Sequence, residues 1–332
     1  MDNYIITWFY AENKEDESYY PSVGKKTSSF EFQKVYWRCV YDFYVSAFLT
    51  QDKNVKYLFF TNLHKLPPDV DGVDMGAFFK ENNVDVIRTE LTGKTPADWF
   101  FQFRNQFYVY DIIEKLKSIP GNHLILDSDC LFTKDISDLF SEIEKDGAVA
   151  YPVRHAADYP INGISHNGMR RLYKEFYGSE MQELEYLGGE LISFRSDIAE
   201  EIMREYRILW DLNYKLYEEN KEKLNEEAHF WSFIYYKLGF RKLTGVNYTR
   251  RIWTAAQLDD MTTHDAELPI MHLPAEKRYA FKTMFKKFVR REIGDEAALR
   301  RVIRKVLLVD APRQRHIRRL ALRALDRITG RG

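Results

Sequence analysis

Short apolar runs alternate with stretches of helical spacing through residues 1–150, and this alternation constrains the fold more than any other feature of the chain. Tyr4-Ile5-Ile6-Thr7-Trp8-Phe9-Tyr10 is short and apolar throughout, so it reads as a buried strand. Residues 11–28 are polar and without period, which makes them a loop. Beyond them Val35, Tyr36, Cys39, Val40, Phe43 and Ala47 recur at helical spacing over residues 32–49. Strands follow at 56–62, 84–88 and 123–126, and a helix over 101–117 precedes the last of them, stopped by Pro120-Gly121. Strands alternating with helices predict an α/β fold with a doubly wound, mostly parallel sheet. Ligands bind such sheets at the carboxyl ends of strands. That rule singles out residues 7–10, Thr61-Asn62 and Asp127-Ser128-Asp129.

Farther along, 136–143 reads as a helix and 148–151 as a strand. Gly188-Gly189-Glu190 reads as a turn ahead of a strand at 191–194. Helices are expected at 196–217 and 227–238, the second closed by Gly239, and a short strand at 269–272. There is no internal repeat. The composition, 45% hydrophobic and 30% charged, is that of a globular chain and excludes disordered and fibrous classes. Two cysteines, Cys39 and Cys130, are too few for a disulfide framework and sit in apolar contexts, so a reducing compartment is expected. The start of the chain lacks a signal-peptide pattern, and no apolar run reaches the length of a membrane span. The expectation is a cytoplasmic protein.

Charge is distributed unevenly. Residues 281–332 hold 16 Lys and Arg against 5 Asp and Glu, while residues 1–280 hold 33 against 45. A domain over 1–280 followed by a basic helical tail over 281–332 is therefore expected. In the tail, Ile317, Leu320, Ala321, Ala324, Leu325 and Ile328 share one helical face, flanked by arginines. Such a stretch fits an anionic membrane surface, a partner helix or a nucleic-acid patch. No nucleic-acid module accompanies it, so the inner face of a membrane is the preferred reading.

Asp127 and Asp129 stand one residue apart, directly after an apolar strand and before Cys130-Leu131-Phe132. Carboxylates are hard oxygen ligands suited to Mg2+ or Mn2+, which bridge diphosphate oxygens. A pair of turn acids would serve as an ordinary capping motif instead. Among the eight histidines, His272 follows a short strand and is the best third ligand, ahead of His155, His166 and His229.

This layout resembles glycosyltransferases of the GT-A type, closest to glycosyltransferase family 8 and its bacterial relatives. Four segments over residues 4–280 carry the resemblance: Phe103-Arg104-Asn105-Gln106 leading toward Asp127-Ser128-Asp129; Tyr186-Leu187-Gly188-Gly189-Glu190; Asn225-Glu226-Glu227-Ala228-His229; and Pro269-Ile270-Met271-His272 with Lys277. It implies transfer of a sugar from a nucleotide sugar, UDP-linked, to a glycan or lipid-linked acceptor with retention of configuration. It further implies that Asp127, Asp129 and His272 hold Mn2+ or Mg2+. Arg104 and Lys277 would meet the donor phosphates, with Ser128 beside them, and Thr7 and Tyr10 would meet the base. Gly188, Gly189 and Glu226 would receive sugar, and Glu227 or Glu190 would act in catalysis. The sequence departs from the late element of that family at Pro274-Ala275, where a glycine is usual, and is Glu-rich at 226–227. A nucleotidyltransferase is the alternative enzyme, but it calls for a glycine-rich phosphate loop, and residues 11–28 offer only Gly24. A membrane-attached glycan-binding protein without activity is the alternative outside enzymes.

Overall fold

The computed structural model describes residues 1–20, 27–100, 102 and 104–328, the last three as backbone only. Gly24, Phe101, Phe103 and the Ile328 side chain, each used in the sequence reading, lie outside the described residues. The strands are β1 (Asn3–Phe9), β2 (Val55–Thr61), β3 (Val84–Arg88), β4 (Asn122–Leu126), β5 (Cys130–Phe132), β6 (Ala150–Pro152), β7 (Leu187–Arg195) and β8 (Ile270–His272). Helices are α1 (Phe30–Thr50), α2 (Met75–Glu81), α3 (Tyr108–Leu116), α4 (Ser137–Asp146), α5 (His166–Tyr177), α6 (Ala199–Glu218), α7 (Glu227–Lys237), α8 (Ala280–Val289), α9 (Glu296–Leu307) and α10 (Pro312–Ile328).

Six strands form one sheet in the order β3-β2-β1-β4-β7-β6, and β5 pairs with β8 in a separate ribbon. β1 runs parallel to β4 and β2 parallel to β3, while β7 is antiparallel to both β4 and β6. The α/β class expected from the alternation is therefore present, with a mixed sheet. The chain divides into two compact units. The first comprises residues 1–6, 89–126 and 138–246; the second comprises 7–88, 127–137 and 247–332.

In the first unit, β4 is buried along its whole length because every side chain of Asn-His-Leu-Ile-Leu faces packed neighbours. His123 lies between the rings of Tyr4 (5.4 Å) and Phe194 (5.1 Å). Burial holds this imidazole neutral, its pKa pushed down to about 4. The unfolded chain takes up its proton near pH 6.5, so this stabilisation is complete above that pH and is lost as pH falls toward 4. The shift corresponds to about 3 kcal/mol. Denaturant melts at pH 7 and pH 4.5 should show His123→Phe losing markedly less stability on acidification than the parent. Equal losses in both proteins would show that His123 does not control the acid limb.

Two expectations for this unit need correction. The helix expected over 101–117 begins only at Tyr108. Ahead of it, Tyr108 N donates to Asn105 O (3.0 Å) and Tyr110 N to Phe107 O (3.0 Å), which are turn bonds rather than helical ones. The buried Gln106 amide is used elsewhere, donating to Asn225 O (3.2 Å). Arg104 thus lies in a turn. Gly188-Gly189-Glu190, read as a turn, is inside β7.

In the second unit, α1 starts where Ser29 Oγ accepts from Phe32 N (3.3 Å) and lays Cys39, Val40, Phe43 and Ala47 into the interior. One core cluster joins Cys39 and Leu131 to Met271, Phe281, Met284, Phe288, Leu299, Ile303 and Leu307. Residues 281–309, set apart in the sequence as the start of a basic tail, therefore supply apolar side chains to this core. α9 is capped by Asp295, whose carboxylate accepts from Ala298 N (2.7 Å). Pro312 opens α10, because the first helical position needs no backbone donor. Among the described residues no helix is long and apolar enough to cross a membrane.

Candidate functional site

Asp127 and Asp129 follow β4 in a tight turn closed by Cys130 N donating to Asp127 O (3.2 Å). β5 begins at once and pairs antiparallel with β8, with Cys130 opposite His272. Leu273 N donates to Asp129 O (3.0 Å) and Ile252 N to His272 O (3.0 Å), so the ribbon fixes the histidine against the acidic turn. His272 Nε2 lies 3.6 Å from Asp127 Oδ2 and 3.3 Å from Asp129 Oδ2. One ligand atom from each of the three residues falls within 4.8 Å of the others. Asp129 and His272 are buried, while Asp127 is half-exposed, which leaves the cluster open on one side. Lys277, beyond the single 3-10 turn Pro274–Glu276, brings its ammonium onto Asp129 Oδ2. Its Nζ also lies 5.7 Å from the centre of the Tyr36 ring.

Two carboxylates and an imidazole at this spacing fit a hard divalent cation. Burial alone would push the Asp129 carboxyl up. The Lys277 ammonium and His272 beside it outweigh burial and hold it well below the usual carboxylate range. Burial likewise works against the Lys277 ammonium, and the Asp129 charge more than offsets it, raising its pKa. Asp129 is thus anionic at any ordinary pH, which is the state a metal ligand needs.

The first unit holds a second cluster, around the start of α7. Glu226 is buried, and its carboxylate accepts from Tyr186 Oη (2.7 Å) and from the Asn162 side-chain amide. His229, wholly buried, is held neutral with its pKa pushed down to about 3 by burial. It therefore forms no ion pair with Glu226 despite a 3.7 Å approach, and its Nε2 meets Ile161 O at 3.2 Å. Glu227 is the first residue of α7 and keeps part of its surface exposed.

The chain before α7 is tied from several directions. Trp99 Nε1 and Gln106 Nε2 donate to Asn225 O (3.2 Å each), Asn225 Nδ2 donates to Asn162 O (2.9 Å), and Tyr110 Oη donates to Glu227 O (3.0 Å). Lys223 Nζ donates to Trp99 O (2.7 Å) and Asn225 Oδ1 (2.9 Å). Burial pushes its pKa down to about 8. Alongside, Gly188 and Gly189 occupy positions a side chain would fill. A β-carbon at Gly189 would strike the Glu227 carboxylate, and one at Gly188 would strike that of Glu190 and come within 2.9 Å of the Tyr151 ring. Neither glycine has a positive φ, so close approach, not backbone freedom, is what requires them.

No protein-family profile matches this chain, and no curated protein matches it in sequence. Solved structures do match in fold. The apo structure of WbbM, a bifunctional glycosyltransferase, superposes with a TM-score of 0.51 at 10% identity over 81% of this chain. The chain spans 45% of that protein's length. The chain has the GT-A glycosyltransferase fold. Mouse xyloside xylosyltransferase 1, also in its apo form, aligns over 82% of this chain and 97% of its own, at 10% identity and a TM-score of 0.47.

Within this GT-A fold the remaining predicted residues have these places. Thr7 is wholly buried in β1. Tyr10, just past β1, is buried with its hydroxyl 3.2 Å from Asp16 Oδ2. Ser128 is buried between the two aspartates. Arg104 Nη2 meets Thr95 O at 3.4 Å, and its buried Nε has no hydrogen-bond partner among the described residues. Glu190 is buried in β7. Sequence reading missed Asn162, Trp99 and Lys223, which lie far apart in the chain and form no local motif.

Proposed function

We propose that this chain is a divalent-metal-dependent glycosyltransferase. It moves a sugar from a nucleotide sugar, UDP-linked, to a glycan or lipid-linked acceptor in surface polysaccharide synthesis. The observation that supports this most is the meeting of Asp127, Asp129, His272 and Lys277 beside a strand end of a GT-A fold. A Mn2+ or Mg2+ ion held by Asp127, Asp129 and His272 would offset the charge of a nucleoside-diphosphate leaving group. Lys277 would leave Asp129 for the diphosphate, with Ser128 lining the same turn. Tyr10 would stack on the base.

In the first unit the roles divide by what each carboxylate already touches. Glu226 is held by Tyr186 and Asn162 and sets the position of the α7 start. Glu227, partly exposed, acts on the acceptor hydroxyl or the developing sugar cation. Gly188 and Gly189 admit the sugar close to backbone, Glu190 receives its hydroxyls, and Arg104 donates to the donor through its unused Nε.

α10 presents Ile317 and Leu320 to solvent, 66% and 48% exposed, with Arg313 and Arg323 also exposed. An apolar strip flanked by arginines suits an anionic membrane surface, and this face would hold the enzyme at the cytoplasmic side of the membrane, beside a lipid-linked acceptor.

The test is a screen of nucleotide sugars for slow hydrolysis. At least one donor should be hydrolysed with Mn2+, the rate should vanish in EDTA, and it should return when Mn2+ is restored. Hydrolysis that proceeds undiminished in chelator would sink the metal-dependent reading.

A further inference from the structure

The helix α10 is turned opposite to an ordinary amphipathic helix. Arg315 and Arg319 face inward, while Ile317, Leu320 and Leu325 face out. Arg315 and Arg319, one turn apart, are only 2% and 4% exposed. Arg315 Nε meets both Asp259 carboxylate oxygens at 2.9 Å, and its remaining nitrogens donate to Leu308 O (3.1 Å) and Met261 O (2.9 Å). Arg319 forms an ion pair with Glu276 and donates to Thr254 Oγ1 (3.0 Å).

Glu276 has no exposed surface. Its carboxylate accepts from Thr254 Oγ1 (2.8 Å) and from the backbone N–H of Ala280 (3.2 Å), the first residue of α8. It ends the 3-10 turn that links His272 to Lys277 and immediately precedes Lys277. A wholly buried carboxylate without a counter-charge is costly, so this turn needs a cation next to it. α10 supplies that cation.

We propose that Arg319 is a positioning residue for the diphosphate-binding lysine. Through Glu276 it holds the 3-10 turn in the shape that sets Lys277 against Asp129, which makes the C-terminal helix part of the donor site. The inference rests on the donor-binding role of Lys277 given above, and it adds a device that couples α10 to that role.

The test uses the full chain and isothermal titration of Mn2+ alone, and of UDP or inorganic pyrophosphate with Mn2+ present. Arg319→Ala should weaken UDP binding about tenfold or more, while Mn2+ alone binds as in the parent or tighter, since Lys277 no longer competes at Asp129. Arg319→Lys should recover part of the loss. Arg323→Ala, which removes an exposed charge from the same helix, should change neither affinity. In a Lys277→Ala background, Arg319→Ala should add nothing.

The proposal is overturned if Arg319→Ala weakens Mn2+ and UDP binding together. It is equally overturned if UDP affinity is unchanged, or if the loss persists in full without Lys277. Should Arg319→Ala fail to fold, Arg319→Lys and Glu276→Gln carry the same comparison in milder form. A parent protein that binds neither UDP nor pyrophosphate with Mn2+ overturns the donor reading itself, a result separable from every variant effect.

Discussion

Asp129→Asn is expected to lose metal-dependent donor hydrolysis by about 100-fold or more, and Mn2+ affinity by a similar factor. Asp129 touches both His272 and Lys277, and it is the more buried of the two aspartates. The amide keeps the shape and removes the charge. Stability should fall as well, because the substitution leaves the ammonium of Lys277, whose side chain is only 11% exposed, beside a neutral group. Removing one partner of a buried pair costs about 3–5 kcal/mol in general. Asp127→Asn separates the two effects. Asp127 is 39% exposed, so its variant should lose metal binding with little loss of stability. Calorimetric titration of Mn2+ and thermal melts on both variants check this. Retained Mn2+ affinity in a folded Asp129→Asn protein would remove the aspartate from the ligand set.

The parts of this arrangement that were legible in the sequence are those written in short local patterns. The strand ending in Asp127-Ser128-Asp129 declares itself by an abrupt change from apolar to acidic, and the alternation of strands and helices declares the α/β class. His272 was within reach because it ends a short apolar strand and is of ligand type. Pro274-Ala275 stands where the resembled family has a glycine. The proline instead opens a 3-10 turn that still delivers the ammonium to Asp129.

Less was legible where a contact joins distant residues without periodicity. Glu226 is held by Tyr186 and Asn162, three segments that share no pattern. The three-residue strand β5 is too short to carry a period, yet it is what aligns His272 with the acidic turn. In α10, helical spacing correctly separates an apolar face from an arginine face. It does not say which face packs inward, because that depends on Asp259 and Glu276, which lie outside the helix.

Gly189→Ala should leave the fold intact and reduce turnover by about 100-fold, the scale of a lost acid–base group. A methyl group there meets the Glu227 carboxylate first, and Ala228 Cβ at an ordinary 3.4 Å. The carboxylate ends a flexible side chain and can swing aside, so the strand need not move. Gly189 has no positive φ, and alanine in its place loses less chain entropy on folding, worth about 0.4–1 kcal/mol in its favour. Stability should therefore hold or rise while the carboxylate is displaced. If Glu227 acts on the acceptor, the loss belongs to turnover, and the donor's affinity with Mn2+ should stay near that of the parent. Glu227→Gln should then match Gly189→Ala in rate, and the double variant should be no slower than either. A Gly189→Ala protein with normal turnover would remove Glu227 from the chemistry and leave the two glycines as a packing requirement of β7 against α7.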